Sequence, residues 1–393
     1  MKIAIIGGGP AGLIAGLAAQ RAGLDAVVFE QTENFRRIGG GILIHSNGLR
    51  VLNALGVLEG FEGNLRATQR LRALLSDGRS VGDVDYAGLP VPQNRCGVVM
   101  RYILHEYLFE AARDRGIDVR MGHRLEALNR QGSEVELRFA NGQAWRAAIV
   151  VACDGINSAT RTASGIAARK TAINEAYLRA ISDRPTADTV IRELWGDDGR
   201  RFGICPLPGD RTYIFCNVPL GQWNEIRDHR LDAWIDTWTP FGAEVLDLLR
   251  KVSDWNAVSY DELHEVRLDR WAKPPIFVAG DAAHAMTPNL GQGANSSMVD
   301  ALVLMRILGK ATKDGTPLDR AAAEYEGVRR KFATSIQTAS HLMGVVASWR
   351  SPLARRLRNA ILIASQASSA LRRRSELLGI GYNPAEDQYL EPF

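Results

Sequence analysis

The stretch KIAIIGGGPAGLIAGLAAQRAGLDAVVFE, residues 2–30, decides the fold. A short β-branched run at 3–6 precedes a group of glycines, a helical pattern covers 11–21, and a second apolar run covers 26–30. This order predicts a strand–helix–strand unit with a right-handed crossover, and therefore a parallel sheet. We expect an α/β protein built on a Rossmann-like domain.

The glycines of this stretch form the pattern G-x-G-x-x-G over residues 7–12. They permit a tight turn and let a pyrophosphate approach the backbone at the positive end of the helix. An acid at the end of the second strand can accept hydrogen bonds from a ribose. A glycine-rich turn beside a surface glutamate remains the alternative interpretation. The dinucleotide-binding residues predicted here are Gly7, Gly9, Pro10, Ala11, Gly12 and Glu30.

Two later apolar runs, 147–152 and 275–279, are typical of strands buried on both faces, and an acid beside a glycine follows each. Between them, short β patterns separated by turns predict an inserted, mostly antiparallel β-sheet with a helix over 231–250. Helices are expected over 297–310, 317–347 and 352–373. The predicted domains are a discontinuous nucleotide-binding domain (1–75, 98–170 and 270–345), a substrate-binding sheet domain (76–97 and 171–269) and a C-terminal helical tail (346–393).

Composition excludes several classes of protein. The 393 residues are 46% hydrophobic and carry a formal net charge of +4, which argues against disorder and against nucleic acid as a partner. No run approaches the ~18 apolar residues of a membrane span. The four cysteines show no C-x-x-C spacing, so we expect reduced, buried thiols, no metal site and a cytoplasmic protein without stable membrane association. They are Cys96, Cys153, Cys205 and Cys216.

Residues 350–374 contain seven arginines and no acid. A basic helix of this kind can lie on an anionic surface. A solvated helix face, or a contact with the acidic residues that follow, is the interpretation favoured by the sequence. Those acids are Glu376, Glu386, Asp387 and Glu391.

A second glycine-rich region follows the run at 275–279. Asp281 stands at the expected strand end, where a carboxylate can bind a polyol hydroxyl. The loop 291–293 begins a helix, whose free N–H groups and dipole can face an anion such as the N1–C2=O edge of a reduced flavin.

At this point the sequence resembles the single-component FAD-dependent aromatic hydroxylases, similar to salicylate and hydroxybenzoate hydroxylases. The resemblance extends from Lys2 to about Leu357 and rests on three ordered motifs. Residues 7–12 with Glu30 resemble the ADP fingerprint. The second and third motifs are Asp154-Gly155 followed by Arg161, for FAD and a transient NAD(P)H, and Gly280-Asp281 through Pro288, with Asp281 on the ribityl chain and Pro288 beside the flavin ring.

The resemblance implies further cofactor contacts. Arg36 and Gly41 match a loop on the ribose or phosphate side of FAD, and Arg101 matches an arginine that contacts FAD; a solvated arginine is the alternative for each. Tyr102 and Ser46 depart from the family pattern. The remaining cofactor-binding residues implied are Gly291, Gly293, Ala294 and Asn295.

The activity implied is a monooxygenase in which NADH or NADPH is the co-substrate that reduces FAD. O₂ then forms a flavin C4a-hydroperoxide, which hydroxylates an aromatic or other electron-rich small molecule. Only one G-x-G-x-x-G occurs, which argues against a second, stable nicotinamide domain. An oxidase, reductase or halogenase on the same scaffold, or a non-catalytic redox sensor, remains the alternative. We expect a monomer or homodimer.

His45 is the candidate substrate-side base or hydrogen-bond donor, because it follows the 39–41 loop on a strand expected to approach the flavin. A histidine satisfied at a strand end is the competing interpretation. Pro288 is the second candidate catalytic residue through its place beside the ring. One face of the inserted sheet should line the substrate pocket, and its candidates are Arg192, Phe202, Cys205, Tyr213 and Phe215.

Overall fold

The computed structural model describes residues 2–35, 37 and 40–393. In chain order the strands are β1 (Lys2–Ile6), β2 (Asp25–Phe29), β3 (Gly41–Ile44), β4 (Arg66–Thr68), β5 (Arg70–Leu75), β6 (Ser80–Asp85), β7 (Cys96–Met100), β8 (Asp118–Arg120), β9 (Leu125–Gln131), β10 (Glu134–Phe139), β11 (Ala144–Ala147), β12 (Ile149–Ala152), β13 (Ala168–Ser182), β14 (Ile191–Trp195), β15 (Arg201–Leu207), β16 (Arg211–Pro219), β17 (Ser259–Leu268), β18 (Ala272–Lys273) and β19 (Ile276–Val278). The α-helices are α1 (Pro10–Arg21), α2 (Ser46–Ala54), α3 (Arg101–Asp114), α4 (Ala159–Ser164), α5 (Trp223–Asp228), α6 (Leu231–Asp236), α7 (Ala243–Leu249), α8 (Asp281–His284), α9 (Gly293–Asp314), α10 (Leu318–Ala347), α11 (Pro352–Ala367), α12 (Ser369–Gly379) and α13 (Asp387–Leu390).

The predicted strand–helix–strand unit lies at the centre of a six-stranded sheet with the order β18-β19-β12-β1-β2-β8. Strand β1 pairs in parallel with β2 and with β12, and β12 pairs in parallel with β19. Helices α1 and α9 pack together on one face, and the small sheet β11-β10-β9 covers the other. Burial on both faces explains the unbroken apolar runs of these strands. The Rossmann-like α/β domain is therefore confirmed.

The inserted sheet has seven strands in the order β17-β13-β16-β15-β14-β5-β6. All neighbours are antiparallel except β14 and β5, so the predicted mostly antiparallel sheet is also confirmed. Strand β5, predicted to lie in the first domain, pairs in this larger sheet instead. Its partner β14 is far away in the chain, and the local pattern RLRALL does not reveal such a pairing.

The helix predicted over 231–250 is divided into α6, a 3₁₀ turn and α7. Pro240 lacks the N–H that a continuing helix needs, and Gly242 adopts a φ of 93°. The helix predicted over 352–373 is also divided, because the Ser368 side chain accepts a hydrogen bond from the Leu371 N–H and starts α12. Both breaks follow from capping and turn chemistry inside otherwise helical patterns.

The long helices α9 and α10 complete the core of the first domain. Within the described part of the chain, no helix is both long and apolar enough to cross a bilayer. The four cysteines are buried and unpaired, as expected. The same described residues contain no cluster of three or more His, Cys, Asp or Glu side chains that could hold a metal ion.

Candidate FAD and substrate site

Glycine shapes the turn between β1 and α1, which we call the N-terminal turn (residues 7–12). Gly7 has a φ of +104°, and a Cβ added there would lie 2.3 Å from the Cys153 carbonyl oxygen at the end of β12. A Cβ on Gly12 would lie 1.8 Å from the Gly7 carbonyl oxygen, whereas nothing lies within 4 Å of a Cβ on Gly9. Packing therefore requires Gly7 and Gly12, and Gly9 borders open space that phosphates can enter.

Helix α1 begins at this turn with no side-chain cap and no acid in its first turn. Its first N–H groups therefore remain at the positive end of the helix dipole. Glu30 lies beside the turn, where its carboxylate accepts hydrogen bonds from the Gly8 N–H (2.7 Å) and the Thr32 N–H (2.9 Å). Free N–H donors next to a fixed carboxylate fit the pyrophosphate and ribose of an ADP group.

A histidine that the sequence did not single out supports the same turn. The Nε2 atom of His105 lies 2.6 Å from the Gly8 carbonyl oxygen, and its ring lies 4.0 Å from that of Phe35. Burial lowers the pKa of His105, and the Arg101 guanidinium lowers it further. Arg101 itself opens α3 with an exposed side chain, one helical turn before His105. That spacing is the one sequence signal that could have identified His105.

The Asp-Gly segment, residues 154–161, is held by hydrogen bonds inside the protein and supports the site. The Asp154 carboxylate accepts hydrogen bonds from the Thr160 N–H and hydroxyl, at 2.9 Å each, and Gly155 takes a φ of +77°. Arg161 is buried and donates to the Ala282 carbonyl of α8 at 2.7 Å. Both bonds from Thr160 reach Oδ2 of Asp154, and Oδ1 accepts the Ser158 hydroxyl. The segment therefore holds its own loop with both carboxylate oxygens, while Arg161 fixes α8.

The Gly-Asp segment, residues 280–288, is held in place by the buried carboxylate of Asp300. The Gly280 N–H donates to Asp300 at 3.0 Å, and His284 donates to the same oxygen through Nε2. Gly280 has a φ of +64°, and a Cβ there would lie 2.9 Å from the Ser297 hydroxyl. Asp281 is exposed and makes no hydrogen bond to the described residues, so its carboxylate is available to a polyol hydroxyl.

The 288–293 loop is tied to β3 by one side chain. Asn295 is fully buried; its Oδ1 accepts the His45 N–H at 3.0 Å, and its Nδ2 donates to the carbonyls of Leu43 (2.8 Å) and Gly291 (2.9 Å). Helix α9 begins here without a side-chain cap. Of the predicted cofactor residues, Asn295 and Ala294 can therefore offer a ligand their backbone N–H groups.

His45 lies beside this loop and is almost fully buried. Its Nδ1 is 2.6 Å from the Tyr86 hydroxyl, and its Nε2 faces the Leu290 carbonyl without a hydrogen bond of normal geometry. Burial lowers the pKa of His45 to about 4 and raises that of Tyr86, so both side chains are neutral at pH 7. A Cβ on Gly291 would lie 2.8 Å from Nε2, which makes glycine necessary there.

A buried arginine of the large sheet holds the same loop. Asn289, next to Pro288, accepts hydrogen bonds from the Tyr177 hydroxyl (2.9 Å) and from Arg201 Nη1 (2.7 Å). Arg201 is fully buried and pairs with Glu175 at 2.6 Å. The sequence gives no local signal for this contact, because its members lie on separate strands and a distant loop.

The candidate pocket residues divide between two faces of the large sheet. Cys205, Tyr213 and Phe215 lie on the face that packs with Tyr86. Arg192 and Phe202, also predicted to line the pocket, point to the opposite face. Strand alternation causes this, since Arg192 and Phe202 occupy positions of the other parity. Helices α5 to α7 cover their face; Arg192 pairs with Glu244 at 2.6 Å, and Phe202 packs on Trp238.

The Tyr213 ring lies directly against the 40–41 segment. A Cβ on Gly41 would lie 2.6 Å from the ring, and one on Gly40 would lie 2.7 Å from it. Gly41, predicted to bind the cofactor, therefore sits where the large sheet meets β3. Arg36, predicted for the same loop, lies outside the described residues.

The C-terminal tail closes on the 288–293 loop. Gln292 donates to the Gly379 carbonyl at 2.9 Å and accepts from Asn47 at 2.9 Å. A Cβ on Gly381 would lie 2.2 Å from the Asn47 amide nitrogen, so the tail backbone fits closely against α2. The sequence predicts this tail as a separate helical unit, and its local pattern carries no signal for these long-range contacts.

The tail also reaches the carboxylate behind the Gly-Asp segment. Glu386 forms an ion pair with Arg329, and Arg329 Nε lies 2.7 Å from Asp300. All three side chains are at most 1% exposed. A continuous buried chain of charges therefore runs from the tail to Gly280.

These residues fit FAD. Two uncapped helix ends, α1 and α9, offer N–H donors, Glu30 and Asp281 offer carboxylates, and Gly9 borders open space. Arg101 adds a positive charge at the start of α3.

Comparison with known proteins agrees with this geometry. The family described as "FAD binding domain" matches residues 1–340. The chain is 26% identical to an aurachin C monooxygenase/isomerase of Stigmatella aurantiaca, covering 90% of this chain and 91% of the relative. It is 25% identical to the 2-heptyl-3-hydroxy-4(1H)-quinolone synthase of Pseudomonas aeruginosa, covering 98% and 100%. The solved structure of Klebsiella pneumoniae HpxO with FAD and uric acid shares the fold, with a TM-score of 0.81 at 22% identity and coverage of 98% and 97%.

Proposed function

Since the chain belongs to the FAD-binding family, whose relatives here include monooxygenases, we propose that it consumes NADH or NADPH and O₂ to hydroxylate an aromatic small molecule. The observation that carries this proposal is the juxtaposition of the uncapped α9 end, with its 288–293 loop, and the buried His45–Tyr86 pair. The first is suited to an anionic flavin edge, and the second supplies polar atoms beside it.

The chain's own residues would hold FAD from both ends. The N-terminal turn and Glu30 would take the pyrophosphate and the ribose, and Asp281 would take the ribityl hydroxyls. When bound, FAD supplies reductive activation of O₂ and transfer of one oxygen atom. The chain supplies orientation, exclusion of water and hydrogen bonds at the substrate ring.

His45 would act as a hydrogen-bonding residue at this ring. A neutral imidazole carries one N–H, and the Tyr86 hydroxyl can donate to Nδ1, which leaves Nε2–H facing the loop. With a pKa of about 4, His45 is a weak base, so we assign it a donor's role toward substrate or cofactor oxygen rather than proton abstraction.

The substrate class is proposed to be an N-heteroaromatic or phenolic compound. One relative is named for a quinolone product, and a different protein of the same fold was crystallised with uric acid. The quinolone and uric acid both contain electron-rich rings. The apolar cluster around Tyr86, Cys205 and Tyr213 would hold the flat ring from the sheet side.

The test begins with the purified protein and its visible absorbance. Flavin bands should be present, and NADH or NADPH oxidation should accelerate on adding a member of a panel of 4-quinolones, urate, hydroxypyridine acids and phenolic acids. Mass spectrometry should detect a product heavier by one oxygen atom. Stimulated oxidation that yields only hydrogen peroxide, or a halogenated product when halide is supplied, would instead indicate an oxidase or a halogenase.

A variant tests the proposed ribityl contact. Asp281→Ala should give largely colourless protein, because the free carboxylate is lost from the Gly-Asp segment. The matched control is Asp314→Ala, an exposed acid at the end of α9, which should stay fully flavinylated. Full FAD content in Asp281→Ala would contradict the assignment.

A further inference from the structure

The apolar side chains exposed to solvent are concentrated in one part of the molecule. Among the described residues, six of the seven large exposed apolar side chains fall between residues 342 and 371. Three of them lie on α11: Leu353 is 79% exposed, Leu357 58% and Ile361 57%. The other three are Leu342, Val345 and Leu371. Exposed apolar side chains that are concentrated in one segment point to an interaction site more than singly scattered ones do.

The three α11 side chains form one face of the helix, because they are spaced four residues apart. An adjacent side of the helix is anchored to the protein. Arg358 is buried, donates to the carbonyls of Val346 (3.1 Å) and Ala347 (2.9 Å), and lies over the Trp195 ring. Helix α11 is therefore held firmly with its apolar side turned outward.

The same region is strongly basic. The exposed arginines are Arg350, Arg356, Arg372 and Arg374. The acidic residues of the tail do not neutralise them: Glu386 pairs with Arg329, and Asp387 pairs with Arg50 at 2.7 Å. The exception is Glu376, 4.0 Å from Arg372. Of the predicted contacts between these arginines and the acidic tail, only that of Glu376 is seen among these pairs; Glu386 and Asp387 pair with arginines of the first domain.

We propose that the outward face of α11, with the start of α12, is a reversible docking surface for an anionic phospholipid bilayer. An amphipathic helix lies in the plane of the bilayer interface, with its apolar side chains in the acyl boundary and its arginines among anionic headgroups. A second copy of the chain is a poorer occupant, since a two-fold contact would bring the two arginine sets together.

The experiment is co-sedimentation of the full chain, loaded with FAD, with vesicles. One set is phosphatidylcholine with about one-third phosphatidylglycerol, and the other is pure phosphatidylcholine. The chain should sediment with the anionic vesicles and not with the neutral ones, and high salt should reduce the bound fraction.

Two variants separate the apolar and the charge contributions. Leu353→Ser combined with Leu357→Ser and Ile361→Ser should lower the partition coefficient about tenfold or more. Its matched control places serine at exposed alanines of other helices: Ala163, Ala233 and Ala323.

The charge variant, Arg356→Gln with Arg374→Gln, should weaken binding and flatten its salt dependence. Its control, Arg113→Gln with Arg230→Gln, removes two exposed arginines elsewhere and should bind like the parent chain. FAD content and thermal midpoint should be unchanged in all four, because every altered side chain is exposed.

Three outcomes would overturn the proposal. Equal sedimentation with neutral and anionic vesicles would do so, as would full binding by the triple serine variant. The third is a dimer in analytical ultracentrifugation that disappears in the triple serine variant, which would assign the face to a second copy of the chain.

Discussion

The N-terminal turn and the 288–293 loop are both glycine-rich starts of helices, but they are built in different ways. Residues 7–12 are shaped by neighbours close in the chain and by the adjoining strand β12. The 288–293 loop is held by Asn295, by Asn289 with Arg201, and by Gln292 with Gly379. The glycine pattern of the nucleotide turn is therefore recognisable within one short stretch of sequence, whereas the contacts that hold the flavin-side loop come from distant parts of the chain.

The largest change in the free energy of unfolding is expected from replacing a glycine of the N-terminal turn. In Gly12→Ala the added Cβ meets the Gly7 carbonyl, a backbone atom that cannot yield easily, so we expect a loss of about 3 kcal/mol or more in the free energy of unfolding. Gly9→Ala should leave the apoprotein's stability nearly unchanged but weaken FAD binding. Denaturant titration measures the free energy of unfolding of each variant, and FAD titration measures its affinity for the cofactor. Equal destabilisation by both variants would contradict the packing difference.

The pH dependence of protein stability tests the burial of His45 beside the 288–293 loop. Its folded pKa of about 4 lies below its ordinary value of 6.5, so the unfolded chain binds the proton more tightly between these values. Stability from the neutral imidazole is fully present above about pH 6.5 and is lost as pH falls toward 4, by about 3 kcal/mol.

His45→Gln should remove this contribution to the pH dependence, as measured by urea unfolding between pH 4 and pH 7. Product formation should slow while FAD remains bound. The solvent-exposed His229→Gln is the control and should keep the parent pH profile. An unaltered profile in His45→Gln would mean that the imidazole is not buried as described.

Glu386→Gln tests the ion pair between the tail and Arg329, and we expect it to lower stability by less than the two changes above. Arg329 keeps its contact with Asp300, and the glutamine amide oxygen can still accept a hydrogen bond, so we expect about 2 kcal/mol of destabilisation from the lost charge, and faster loss of FAD. Glu391→Gln changes an exposed acid of the same tail and should behave as the parent chain. FAD release followed by fluorescence distinguishes the two. If Glu386→Gln released FAD at the parent rate, the ion pair of the tail would not contribute to holding the flavin-side loop.

The sequence predicted what short-range patterns encode. The strand–helix–strand unit, the inserted sheet and the glycine motifs are visible as runs and spacings within a few tens of residues. His105 was missed because it lies inside an ordinary amphipathic helix. Arg201 was missed because its role depends on Asn289, a loop residue far along the chain.

The pocket candidates show the same limit at finer scale. Cys205 and Phe202 belong to one strand, and the sequence cannot tell which parity faces the site. That choice depends on α5 to α7 covering one face, which is a property of packing. Likewise the role of the tail became visible only through the close fit of Gly381 against Asn47.

The buried ion pair of Glu386 with Arg329 has a consequence for biosynthesis. Ribosomes deliver Gly280 and Gly291 well before Glu386, so a growing polypeptide holds both loops while the second acidic partner of Arg329 has yet to be translated. Domains tend to fold as they emerge, yet in this one Arg329 has only Asp300 of its two buried acidic partners until the tail arrives. Cofactor loading should therefore follow translation of Glu386, and ribosome-bound chains arrested before that residue should remain unflavinylated.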